Sequence, residues 1–156
     1  ISRALKQLIN RTVRQNHSSD KVTATGDKDM DRIDSPSTYI PGYKNLEVWK
    51  QADELAVLIY QITKGYPKEE LFGLTSQMRR CAISVPANIV EGYGRRTLKD
   101  KNQFYYIARG SLNELEYYLD ISFRLNYLTR VDYEKAKNLR DRVGKLLHGL
   151  IQSVKE

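Results

Sequence analysis

The stretch from Leu74 to Arg96, LTSQMRRCAISVPANIVEGYGRR, decides the fold. At about 100° per residue it reads as a helix with two apolar stripes. Leu74, Met78, Ala82, Val85, Ile89 and Tyr93 line one, and Ile83, Ala87 and Val90 line the other. A polar row of Gln77, Arg80, Ser84, Asn88, Glu91 and Arg95 runs between them. A surface helix needs one apolar stripe to bury against its own domain. The second stripe predicts contact with something else. Pro86 removes a backbone donor and should bend the helix. The apolar phase continues through it from Ala82 to Val85 and Ile89, so one bent helix is expected, with a break near Val85 as the alternative.

Working outward, the chain resolves into an arm and one domain. Its 156 residues have 40% apolar content, enough for a single core. Mean hydropathy is −0.59, and no run approaches the roughly 20 apolar residues of a membrane span. No signal-peptide pattern opens the chain, which starts at Ile1 without a methionine, as a fragment or a processed or engineered start would. Cys81 is the only cysteine, which excludes an internal disulfide and points to a reducing compartment, the cytoplasm. It reads as a small residue at a packing seam. The net charge is +7, and a pI near 9.4 leans toward polyanionic partners. Seven basic and five acidic residues fall in the first 43 positions, so most of the excess lies on the folded part.

Residues 1–42 form the arm. Ile1, Ala4, Leu5, Leu8, Ile9 and Val13 follow helical spacing over residues 1–15, and a Ser-, Thr-, Asp-, Gly- and Pro-rich linker follows. The domain, residues 43–156, begins with a helix capped by Asn45 and closed at Gly65, with Leu46, Trp49, Ala52, Leu55, Ala56, Ile59 and Ile62 as its core stripe. Pro67 starts a single turn through Glu70, and Thr75 is the expected cap of the second helix. That helix ends at Gly92-Tyr93-Gly94. Thr97 with Asp100, and Thr129 with Asp132, have the spacing of capping boxes for two further helices. The third helix places Phe104, Ala108, Leu112, Leu115, Leu119 and Ser122 on its core face and ends at Asn126-Tyr127. The fourth uses Ala136, Leu139, Val143, Leu146, Leu147, Leu150 and Val154. Four amphipathic helices with short connections predict an all-α, antiparallel up-down four-helix bundle.

Chemistry is sparse. His17 lies in the arm and His148 lies off the core stripe. No metal-ligand spacing, phosphate loop or cofactor motif is present. Glu91 and Glu114 are the only imaginable acid pair, and nothing in the sequence brings them together. No catalytic residue, metal or cofactor is therefore assigned.

Two surfaces stand out instead. Beside the core face of the third helix lie Ile107, Glu114 and Tyr118, and its far side carries Gly110 and Tyr117. Together with Ile83, Ala87 and Val90 these residues form the expected oligomer interface. Gly110 costs about 1 kcal/mol against alanine inside a helix, which close approach by another chain would explain. Arg79, Arg80, Arg95, Arg96, Lys99, Lys137 and Arg140 are the candidate phosphate contacts.

YKNLEVWKQADELAVLIYQIT, YPKEELFGLTSQMRRCAISVPANIVEGYGR and FYYIARGSLNELEYYLDIS resemble the ribosomal RNA intervening-sequence, or S23, proteins. The core pattern LTSQ-x-RR-x-x-x-S-x-x-x-NI-x-EG-x-GR runs from Leu74 to Arg95, and Val85-Pro86 departs mildly from it. The resemblance covers about Tyr43 to Val154. It implies a helical bundle, often assembled as a ring-like homopentamer. It also implies kinship with the accessory variability determinants of diversity-generating retroelements, basic barrels that bind nucleic acid and a reverse transcriptase. The leading expectation is a non-enzymatic, homo-oligomeric scaffold for structured RNA. A protein-interaction adaptor, such as an accessory subunit of a reverse transcriptase, is the second. No membrane partner is expected.

Overall fold

A computed structural model describes residues 41–154. The segment read as a helix at 1–15, the linker up to residue 40, and Lys155 lie outside the described residues. The chain divides into two units, Ile1–Thr38 and Tyr39–Glu156, the second of which is the bundle. Among the described residues four α-helices account for the architecture: α1 Glu47–Ile62, α2 Leu74–Gly94, α3 Leu98–Arg124 and α4 Arg130–Ser153. Each helix packs on the next, and α4 packs back on α1. No helix is long and apolar enough to cross a membrane.

The core is built from the predicted stripes with informative shifts. Ala52, Leu55 and Ile59 of α1, Met78, Val85 and Ile89 of α2, Leu112, Leu115 and Leu119 of α3, and Ala136, Val143 and Leu147 of α4 are all buried. Ile151 joins them, and so do Val48 and Leu58, which the stripes omitted. On α3 it is Tyr105, not Phe104, that is fully buried. The reason lies on α2. Gly92 has no side chain, and a Cβ there would sit 2.4 Å from the Tyr105 ring. The ring fills the space that a residue other than glycine would occupy.

α2 and α3 run in opposite senses, as their cross-links show. Met78 meets Ser122 near one end, Ser84 meets Ser111 midway at 2.8 Å, and Gly92 meets Tyr105 at the other end. α3 and α4 do the same, from Asp120 with Tyr133 to Leu112 beside Gly144. The Met78 sulfur is a small polar hub inside the core, reached by the Tyr66 hydroxyl at 3.4 Å and the Ser122 hydroxyl at 3.3 Å.

The ends of the helices test the capping predictions. The Thr97 and Thr129 hydroxyls accept from the backbone N–H of Asp100 and Asp132, as the Thr-x-x-Asp spacing requires. Three other caps differ. Leu46, not Asn45, precedes α1, because Gly42–Asn45 form a separate 3-10 turn. α2 starts one residue before Thr75: the Glu70 carboxylate accepts from the Leu74 N–H at 3.0 Å and takes over the capping role, leaving Thr75 buried. Gly65 lies in a 3-10 turn and does not adopt the left-handed conformation. That role falls to Asn126 at φ 60°, where the Tyr127 N–H bonds the Ser122 carbonyl and closes α3 in a Schellman pattern. α2 runs unbroken through Pro86.

Gly92→Ala forces the Tyr105 ring or the helix to move. It should destabilise the bundle by about 1–3 kcal/mol, as overpacked cores do. Gly110→Ala should leave the isolated bundle as stable or make it more so by about 0.5–1 kcal/mol, since nothing lies within 4 Å of its Cβ. Urea denaturation of the two variants checks the contrast.

Candidate nucleic-acid interface

The residues predicted for the oligomer interface fall into two groups. Ile83, Ala87, Ile107, Gly110, Glu114 and Tyr117 are exposed, with Ile83 at 46% and Tyr117 at 61%. Val90 and Tyr118 are half-buried, the latter tilted against Tyr117. The first apolar stripe of α2 is thus spent on the core from Leu74 to Ile89, Tyr93 at the helix end stays exposed, and most of the second stripe lies open. On α1 the matching surface is Val57 and Tyr60, which with Ile83 line an apolar groove edged by Asp53, Gln61 and Lys64. Val57 and Tyr60 were missed because their spacing was absorbed into a single stripe on α1. Reading that helix for a second stripe finds them.

Between the exposed faces runs a polar seam of α2 against α3. The Cys81 thiol is buried and donates to Glu114 Oε2 at 3.2 Å. Burial pushes this thiol up to about 12, and the Glu114 carboxylate adds to the shift, with Arg80 opposing. The thiol therefore stays protonated at neutral pH, which suits a packing residue and not a nucleophile. Arg80 lies 3.7 Å from Glu114 and bonds Gln77. Glu91 pairs with Arg95 instead. The imagined acid pair is not assembled: Glu91 and Glu114 hold separate partners. Among the described residues no three His, Cys, Asp or Glu side chains converge as metal ligands.

The candidate cations differ in how much of their charge is committed. Arg140 keeps only 15% of its side chain exposed and pairs with Glu116 and Asp141, with Asn113 also accepting. Lys137 bonds the Tyr133 hydroxyl at 3.0 Å and Asp120 at 3.2 Å. These contacts tie α4 to α3. Arg79 bonds Thr63 at 2.9 Å and covers the Tyr60 ring, joining α2 to the end of α1. Arg95 lies over the Phe104 ring at 4.6 Å. Arg96 and Lys99 are exposed, and no carboxylate among the described residues pairs with either.

Arg96 and Lys99 sit where α2 turns into α3, and that end carries an aromatic cluster which charge counting alone passed over. Tyr43 meets Trp49 edge-on at 5.2 Å and Tyr93 at 6.4 Å. Lys101 donates to the Tyr93 carbonyl at 3.1 Å and lies over its ring. The spacing of Tyr43, Trp49 and Tyr93 along the chain gives no local sign of this meeting, which only the opposed run of α1 and α2 brings about.

A helical bundle with open apolar faces and a cationic turn is the class these features define. Residues 44–149 match the family described as 23S rRNA-intervening sequence protein, and the chain belongs to it. Among solved structures, a protein of unknown function from the S23 ribosomal protein family of Bacteroides thetaiotaomicron is similar at 32% identity. The match covers 70% of this chain and 98% of that one, with a TM-score of 0.64. No curated protein matches.

The α3–α4 ties carry a pH signature. The Tyr133 hydroxyl holds the Asp120 carboxyl below its ordinary value of 3.8, with Lys137 assisting and burial opposing. A lowered carboxylate stabilises the fold above its unfolded value, and that stabilisation is lost as pH falls through the folded one. Lys137 is raised to about 12, first by Tyr133 and then by Asp120, so its share is full below 10.5 and lost as pH rises through about 12. Asp120→Asn should therefore lower the urea midpoint at pH 7, and the difference from wild type should shrink steadily below about pH 4.

Proposed function

We propose that this chain is a non-enzymatic homo-oligomer, assembled as a pentamer, that holds structured RNA in the cytoplasm. One observation carries the assembly: Ile83, Ala87, Ile107 and Tyr117 are open in the single chain, together with a helical glycine whose Cβ would meet nothing. Exposed apolar patches of this kind mark association surfaces, and the small residues permit close helix approach. Support for RNA comes from the exposed cations at the α2–α3 turn and from the name of the family. Arg96 and Lys99 are the first contacts, with Arg95 beside them, while Arg80 lies further back along α2 against Glu114. Lys137, Arg140 and Arg79 already have partners within the bundle and contribute less.

Contact of this sort is electrostatic and reads shape more than sequence. Copies of a weak cationic turn on one assembly add by avidity. A second reading, an adaptor such as an accessory subunit of a reverse transcriptase, is favoured by Leu71 and Phe72. They protrude between α1 and α2 at 50% and 89% exposure, a poor arrangement for water and a good one for a protein pocket.

Ile83→Asp combined with Ile107→Asp should reduce the solution mass, read by light scattering, to that of one 18.1 kDa chain. A wild type that is already a monomer at micromolar concentration overturns the assembly. RNA binding should weaken by orders of magnitude between about 50 and 200 mM salt. Arg96→Ala with Lys99→Ala should flatten the log–log salt slope by about one per lost contact. Binding that ignores salt, or is absent, overturns the RNA reading. Phe72→Asp that spares RNA binding but abolishes capture by a reverse transcriptase supports the adaptor.

A further inference from the structure

We propose that the turn end of the bundle takes unpaired nucleotides, with Tyr93 as the stacking surface and Arg96 and Lys99 as the phosphate contacts. The proposal rests on the RNA reading above and narrows its substrate class.

Tyr93 is held in place yet open. Its hydroxyl lies against the Gly42 turn, where an added Cβ would come within 2.2 Å of the oxygen. Its carbonyl is anchored by the Lys101 ammonium. Tyr43 supports the ring edge-on and is itself backed by Trp49. Even so, 41% of Tyr93 remains exposed. An aromatic ring fixed by its neighbours and open to solvent is a platform for a base, because every base offers a π-face and the ring loses little freedom on binding.

The charges nearby suit a sugar–phosphate chain. Arg95, Arg96, Lys99 and Lys101 follow Tyr93 within one turn and the start of the next helix, and Lys44 is exposed beside Tyr43. Of the two acids in the same segment, Glu91 is paired with Arg95, and Asp100 is the one that remains. Other exposed aromatics lack this combination. Tyr60 and Tyr106 lie under the flat guanidinium groups of Arg79 and Arg109 at 4.9 and 4.4 Å, a closer cover than the Lys101 ammonium, which stands 5.7 Å from the Tyr93 ring centre. Tyr117 follows Glu116, and Phe72 follows Glu69 and Glu70, which repel phosphate.

Stacking of successive base pairs in a duplex hides the π-faces that Tyr93 would meet, and the deep groove of an RNA helix keeps side chains from the bases. Loops, bulges and single strands present them. The cations would hold the backbone of either form, and Tyr93 would favour the unpaired one.

The test uses the full chain and two labelled probes, a short oligouridylate and a fully paired blunt-ended RNA duplex, followed by fluorescence anisotropy at several salt concentrations. Tyr93→Leu should weaken oligouridylate binding by about tenfold or more, as loss of one stacked base does, and leave duplex binding unchanged. Tyr93→Phe should bind as wild type. Arg96→Ala with Lys99→Ala should weaken both probes. Equal loss on both probes with Tyr93→Leu, or loss on neither, overturns the stacking role while the RNA reading stands. Absence of binding to both probes in the wild type at low salt overturns the RNA reading itself. Should Tyr93→Leu fail to fold, the wild type decides through Trp49, the one tryptophan. Its emission should change on adding oligouridylate and not on adding the duplex, and an unchanged emission overturns the proposal.

Discussion

The contact between α2 and α3 can close only because position 92 carries no side chain. Tyr105 is large and fully buried, and its ring occupies the volume above Gly92. With that contact set, the rest of the pair follows in register: Ser84 opposite Ser111, Cys81 opposite Glu114, and Met78 opposite Ser122. Small or compliant groups at each step let two long helices approach closely. α1 and α4 then cover the remaining sides of the core, and α4 is fastened to α3 by the Asp120, Tyr133 and Lys137 group. Lys137 and Arg140 therefore belong first to the fold, whatever else they meet.

The same pair sets what is left outside. A helix that gives one stripe to the core and a second edge to its neighbour has part of its circumference open. On α2 the open part is Ile83 and Ala87, and on α3 it is Ile107, Gly110 and Tyr117. These residues are not errors of patterning. They share the outer side of one helix pair and are joined there by Arg80 and Glu114, a mixed surface of the kind found where proteins associate.

Much of the bundle was legible in the sequence because helical periodicity is a long-range signal. Eleven or more residues of 3.6 periodicity per helix averaged out local ambiguity, and Pro86 did not break the phase. The caps were legible where their chemistry was local, as at Thr97 and Thr129. The cap of α2 was misread because a carboxylate ahead of the expected cap intervened: Glu70 accepts from the Leu74 N–H from the preceding turn, and Thr75 is buried instead. Phe104 and Tyr105 are adjacent and both apolar enough for a core, and only the hollow at Gly92 decides between them. The cations show the limit most clearly. Sequence places them on a helix face but does not count their carboxylate partners, so Arg140 and Arg96 looked alike. The aromatic cluster of Tyr43, Trp49 and Tyr93 depends on the antiparallel course of two helices and has no local signature.

The buried thiol has a practical consequence. Cys81 is the one cysteine, its proton is held by burial and by Glu114, and it faces α3 across the seam. A maleimide or disulfide reagent reaches it only when α2 and α3 part. The rate of labelling under native conditions thus measures how often that seam breathes, and a ligand or neighbouring subunit that clamps the two helices would register as slower modification of a single atom.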